Sequence, residues 1–171
     1  YELGHVLLKL DDVEGAIKEL METLELNPRF TDAALLLSEL ALQVGSGEQA
    51  DVFLLKLLEN NPSDDVALRG LIRIEVAAGR FDRALIAGEG LAGMFPEDAE
   101  VRQQLANLYL INGELEKSEH EALNLLRLTP DDWHVHFLLG SIYSTTGLVD
   151  RALKSLRRAA ELAPGEWRSF N

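Results

Sequence analysis

Five prolines, and only five, punctuate this chain: Pro28, Pro62, Pro96, Pro130 and Pro164, each 34 residues from the next. Proline has no backbone N–H and a fixed φ, so it ends helices and biases the residue before it toward an extended backbone. A period kept this strictly by so restrictive a residue points to one supersecondary unit repeated in tandem. Five such periods account for nearly all of the 171 residues. Gly45, Gly79, Gly113 and Gly147 share the same spacing and divide each later period into two helix-length segments.

Apolar and small residues fall at helical spacing within those segments. The first unit, 1–30, contains the remainder of a first helix with Leu3, Gly4 and Leu7, then a second helix over 13–26 with Ala16 and Leu20 inward. The unit 31–64 places Ala34, Leu37 and Ala41 on one helix and Ala50, Leu54 and Leu57 on another, over 48–60. The unit 65–98 repeats this with Leu68, Leu71, Phe81, Ala84 and Leu91; the unit 99–132 does so with Leu105, Ala106, Tyr109, Ala122 and Leu125. Residues 133–166 form the last full unit, and 167–171 open a further helix. Acidic pairs such as Asp64-Asp65, Glu97-Asp98 and Asp131-Asp132 follow the closing prolines. They are expected to cap the next helix and favour its positive end.

Leu139, Gly140, Tyr143, Gly147, Ala152, Leu156, Ala159 and Pro164 carry the full pattern of the last unit, and on these positions the chain resembles the tetratricopeptide repeat family. The resemblance implies an all-α fold, a right-handed α-solenoid of stacked antiparallel helix pairs forming a single array. It also implies a concave groove lined by first helices, in which members of the family bind peptides, helices or domains. Two positions depart from the pattern: Glu75 stands where Tyr109 and Tyr143 stand, and Ser118 replaces the second-helix alanine. A third departure is Gly88, Gly90 and Gly93 within one second helix, each costing about 1 kcal/mol relative to alanine. Close packing by glycine is the expected reason, with a hinge as the sharper alternative.

The formal charge is −13 and uneven. Residues 1–64 carry 13 acidic and 4 basic side chains, residues 65–132 carry 13 and 7, and residues 133–171 carry 3 and 5. An acidic surface repels nucleic-acid phosphates and anionic headgroups, and the basic helix with Arg151, Lys154, Arg157 and Arg158 has no aromatic platform, so nucleic acid is not expected as a partner. No apolar run approaches the ~18 residues that cross a bilayer, so direct membrane insertion is not expected. The chain opens in mid-pattern on Tyr1, which reads as a piece of a longer protein.

No grouping of residues assembles a catalytic or metal site. There is no cysteine, and His134 and His136, two apart on a helix, point to opposite faces. The segment 44–50, VGSGEQA, lacks the GK[ST] that a phosphate loop requires and reads as an inter-helix turn. Trp133, Trp167 and Phe170 are expected to pack at repeat junctions. No enzyme activity, cofactor or metal is expected.

Recognition is expected instead on the first helices. Residues 34 apart form ladders there: Leu35, Arg69, Gln103 and Phe137 on one, and Glu39, Arg73, Asn107 and Ser141 on the next. Arg69 and Arg73, four apart on one helix, form a local basic spot in an acidic protein. An acidic or C-terminal carboxylate on a protein or peptide partner would fit it, with a Glu39–Arg73 ion pair as the competing use of the same charges. The family's carboxylate clamp is largely missing, since its best register supplies Arg69, Arg73, Gln104, His134 and Leu138. Its asparagine ladder is absent, with Leu36, Gly70, Gln104 and Leu138 at those positions. The expected function is a non-catalytic protein-interaction scaffold. The alternatives are a regulatory or substrate-recruiting segment of a larger enzyme, or a self-assembling scaffold that associates end to end.

Overall fold

The computed structural model describes residues 1–46 and 50–165. All regular structure among them is helical, in ten helices: α1 Glu2–Lys9, α2 Val13–Leu26, α3 Thr31–Gln43, α4 Val52–Asn60, α5 Asp65–Ala77, α6 Phe81–Met94, α7 Ala99–Ile111, α8 Leu115–Leu128, α9 Trp133–Thr145 and α10 Val149–Leu162. The expected all-α class and alternation of first and second helices are both found. α4 begins at Val52, later than the expected 48. Trp167 and Phe170 lie outside the described residues.

The turn between paired helices is built the same way five times. Gly45, Gly79, Gly113 and Gly147 all have positive φ, between 73° and 81°. The residue after each donates its N–H to a carbonyl five positions back, as Arg80 does to Glu75 and Leu148 to Tyr143, both at 2.8 Å. This arrangement satisfies carbonyls that a helix end would leave orphaned, and glycine adopts the left-handed conformation without the clash that a Cβ brings. In the first hairpin Asp11 takes that position at φ 62°, followed by the equivalent Asp12 N–H to Leu7 bond.

Helix starts are capped as the acidic pairs foretell. The Asp12, Asp64, Asp98 and Asp132 carboxylates each accept a backbone N–H from the first turn of the following helix. The closing loop is tied down as well. In the fourth hairpin Arg102 donates to the Pro96 carbonyl, and 34 residues on His136 Nε2 lies 2.9 Å from the Pro130 carbonyl.

The chain divides into two compact units, 1–91 and 92 onward, the division falling inside α6. In the first, Leu20, Ala33, Leu37 and Leu40 are buried together, with Ile17, Phe30 and Phe53 packed around them. In the second, Ala106, Ala122, Leu125, Val135, Leu139 and Ile142 form the centre. The small residues are where helices touch: Ala16, Ala34, Ala84, Ala106 and Ala122 have no exposed surface. Larger side chains there would push neighbouring axes beyond the ~8–10 Å of helix packing.

Ser118, the departure from alanine, is buried and donates its hydroxyl to the Ala106 carbonyl at 2.7 Å. The three glycines of α6 do not interrupt it, and the helix runs through to Met94. A Cβ at Gly90 or Gly93 would meet nothing within 4 Å, so close packing is not what these two glycines provide.

Candidate functional site

Of the residues expected on the first-helix faces, four lie in the first unit. Glu39 on α3 and Arg73 on α5 form an ion pair, so positions 34 residues apart do meet on adjacent first helices. The side chains are 37% and 62% exposed, and a pair in that setting is worth about 0–1 kcal/mol. It is weak enough to be exchanged for another carboxylate. Arg69, one turn earlier on α5, is half-buried. Leu35 does more than line a surface, because its side chain lies against Gly70 of α5, where any Cβ would overlap it. Gly70 replaces the leucine or glutamine found at the same repeat position as Leu36, Gln104 and Leu138, and its missing side chain admits Leu35.

The other four residues lie in the second unit, on α7 and α9, which pack together. Gln103 is half-buried and Asn107 exposed. Phe137 remains 43% exposed with the Trp133 ring edge-on at 6.5 Å. Trp133 also stacks on His134 at 3.8 Å, and His134 Nδ1 lies 2.9 Å from the Asp132 carboxylate. The Ser141 hydroxyl is turned back on its own helix, donating to the Phe137 carbonyl at 3.1 Å.

The feature that sequence reasoning left unexplained surrounds Glu75. Glu75 on α5 and Asp51 before α4 are each only 1% exposed, and among the described residues they are the only buried acids. Arg80 bonds Glu75, and Arg83 bonds Asp51 at 2.6 Å while standing 3.9 Å from Glu75. Burial pushes the Glu75 carboxyl above the usual carboxylate range; the hydrogen bond from Arg80 opposes this and the neighbouring Asp51 adds to it. Asp51 Oδ1 and Glu75 Oε1 receive no hydrogen bond from the described residues.

The second unit holds the same constellation 68 residues later. Tyr143 stands for Glu75, Glu119 for Asp51 and Arg151 for Arg83. The pKa of the buried Tyr143 phenol is raised by burial and by the neighbouring Glu119 carboxylate. The Arg151 guanidinium lies 5.7 Å from the ring centroid. A protonated Glu75 would carry an O–H donor, as a phenol does, whereas an ionised one is an acceptor only. The signal in the sequence was the co-occurrence of an acid at position 51 with an arginine at 83, at the spacing of Glu119 and Arg151.

Among the described residues no group of three His, Cys, Asp or Glu side chains is placed to hold a metal, and no helix is long and apolar enough to cross a membrane.

Repeated capped hairpins with left-handed turn residues and buried alanines define a helical-hairpin repeat protein. Models of the tetratricopeptide repeat match residues 7–74 and 104–166, and the chain belongs to that family. Its fold is similar to MamA from Desulfovibrio magneticus RS-1 (18% identity, TM-score 0.75, 95% of this chain and 92% of that one). It is also similar to YrrB, described as a TPR protein with an unusual peptide-binding site (17% identity, TM-score 0.74, 96% and 84%). A third is a thermophilic TPR protein of Thermus thermophilus (24% identity, TM-score 0.61, 98% and 91%). No curated protein matches in sequence. Proteins of this family serve generally as protein–protein interaction scaffolds.

Proposed function

We propose that the chain binds a protein or peptide segment on its first-helix faces and carries no catalytic step of its own. In the first unit the contact residues are Leu35, Glu39, Arg69 and Arg73; in the second they are Gln103, Asn107, Phe137 and Ser141. The observation that carries this reading is the Glu39–Arg73 pair. It joins adjacent first helices on an exposed face, and a partner carboxylate that displaces Glu39 gains a charge-assisted hydrogen bond at little cost. The description of YrrB as having a peptide-binding site is consistent with this use of the fold.

The test is affinity capture with this chain, read by mass spectrometry, comparing Arg69→Ala with Arg73→Ala against a control pair. Arg83 and Lys117 are unsuitable as controls: Arg83 serves buried Asp51, and Lys117 bonds Glu114 and lies over Tyr109. Lys18 and Lys56, both well exposed, are the better choice. Partners retained by Lys18→Ala with Lys56→Ala and lost from the arginine double variant support the reading. Equal capture by both refutes it.

A second reading, end-to-end self-association, is favoured by the apolar face of α1, where Leu3 and Val6 are 50% and 49% exposed and Leu10, just beyond, is 71% exposed. Light scattering over a concentration series tests it, and a mass that stays monomeric to high concentration rules it out.

A further inference from the structure

A different surface, on the second helices of the second unit, has the makings of a binding groove. It runs between α8 and α10, with a volume of about 780 Å³. Leu139 and the Tyr143 ring lie at its floor, and Leu123 and Leu153, both well exposed, line it from the two helices. Four cations of α10 line it too, with two acids of the same helix, Asp150 and Glu161. Two are engaged within the chain: Arg151 lies over Tyr143, and Arg158 pairs with Asp131 and Glu161. The other two, Lys154 and Arg157, are exposed, make no ion pair within 4.0 Å among the described residues, and sit three positions apart on α10.

The equivalent groove of the first unit, between α2 and α4, gives the contrast. It measures about 200 Å³ and is lined by Met21, Leu24 and Phe53 with a single cation, Lys56, and a single anion, Glu25. Apolar walls between second helices are therefore a product of the repeat. The larger volume and the unpaired cations distinguish the α8–α10 groove from it. Cations gathered here, in a chain of net charge −13, run against the character of the rest of the surface, which solubility alone does not require.

We propose that the α8–α10 groove binds an acidic amphipathic helix of a partner protein. Its leucine-type side chains would enter the apolar channel and its carboxylates would pair with Lys154 and Arg157. Charge complementarity selects this occupant: two unpaired cations on one wall call for acids at i, i+3 or i+4 on the partner. The walls are two 14-residue helices, about 20 Å long, which suits a helix laid in a groove. This surface is built on second helices rather than on the first-helix residues proposed above and goes beyond that reading.

The probe is a fluorescein-labelled, acetylated peptide of Glu and Leu, with leucines at i, i+3, i+4 and i+7, followed by fluorescence anisotropy. It should bind the wild-type chain, weaken as salt screens the pairs, and lose at least about tenfold in affinity to Lys154→Glu with Arg157→Glu. Lys154→Ala with Arg157→Ala, which adds no repulsion, should weaken it in the same direction. Arg69→Ala with Arg73→Ala should cost less affinity than either variant of Lys154 and Arg157, separating this groove from the first-helix faces. Circular dichroism confirms that the exposed substitutions preserve helicity. The proposal is overturned if the peptide does not bind, or if neither variant of Lys154 and Arg157 alters binding. It is equally overturned if the same cations instead mediate sedimentation with anionic phosphatidylserine vesicles, or concentration-dependent self-association, while the peptide is ignored.

Discussion

Substituting Gly70 by alanine probes whether Leu35 is a packing residue or a surface one. Glycine in the middle of α5 costs about 1 kcal/mol of helix stability relative to alanine, so the change alone would favour folding by that amount. Against it stands Leu35. The new Cβ would overlap Leu35 Cδ2, while Leu35 Cγ at 3.4 Å and Leu54 Cδ1 at 3.6 Å would be in ordinary contact. Only the end of one flexible side chain must move, which places the cost within the ~1–3 kcal/mol typical of overpacking. Gly70→Ala should therefore be neutral to about 2 kcal/mol destabilising in the wild-type chain. Once Leu35→Ala has cleared the space, the same substitution should stabilise by about 1 kcal/mol. The difference, a coupling of about 1–3 kcal/mol, is read by urea denaturation of the four chains followed by circular dichroism. Additivity within about 0.5 kcal/mol would refute the contact, and with it the idea that Gly70 exists to admit Leu35.

The remaining predictions concern the core, α6 and pH. Ala84→Asp and Ala152→Asp bury an unpaired charge between paired helices and should each cost about 3 kcal/mol or more; ordinary thermal stability in either would contradict the packing. Gly90→Ala and Gly93→Ala meet open space and should each stabilise by up to about 1 kcal/mol, measured as a rise in Tm. Because the folded pKa of Glu75 is raised, its stabilising contribution is complete below the usual carboxylate range and is lost as pH rises through the raised value. The Tm of wild type minus that of Glu75→Gln should fall across that window, and a flat or rising difference would count against a buried proton on Glu75.

How far the sequence disclosed this molecule depended on what each position had to satisfy. The hairpins were legible because proline, turn glycine and cap aspartate act locally, within a few residues of their own backbone. The burial of Ala16, Ala34, Ala106 and Ala122 was legible because helix periodicity fixes which side faces a neighbour. The Glu39–Arg73 pair could be anticipated from a spacing of 34, but Leu35 could not be told from a surface residue, because its fate depends on an absent side chain at Gly70. The role of Glu75 was hidden more deeply. Its partners come from three different segments, and nothing local to position 75 distinguishes a buried acid from an exposed one. The α8–α10 groove was invisible for a related reason: its cations could be counted, but not which of them lacked partners.

The Asp51–Glu75–Arg80–Arg83 cluster also bears on assembly order. Hairpins with nearly interchangeable apolar faces are prone to pair out of sequence, within one chain or between two, as repeat proteins fold. A slip by one repeat would set Ile17 or Leu85 where Asp51 belongs. The Glu75–Arg80 bond within the hairpin would survive, but Arg83 would lose the acid it bonds, and Asp51 would be buried away from both arginines, which is unfavourable for an unpaired charge. The cluster thus works as an address: it makes one junction chemically unlike its neighbours and penalises wrong neighbours for occupying it. Erasing it with Asp51→Leu and Glu75→Tyr, which installs the residues found at those positions one repeat further on, should leave a helical protein that refolds from urea with more exchanged dimer on size exclusion. An unchanged monomer yield would show that the hairpins find their order by other means.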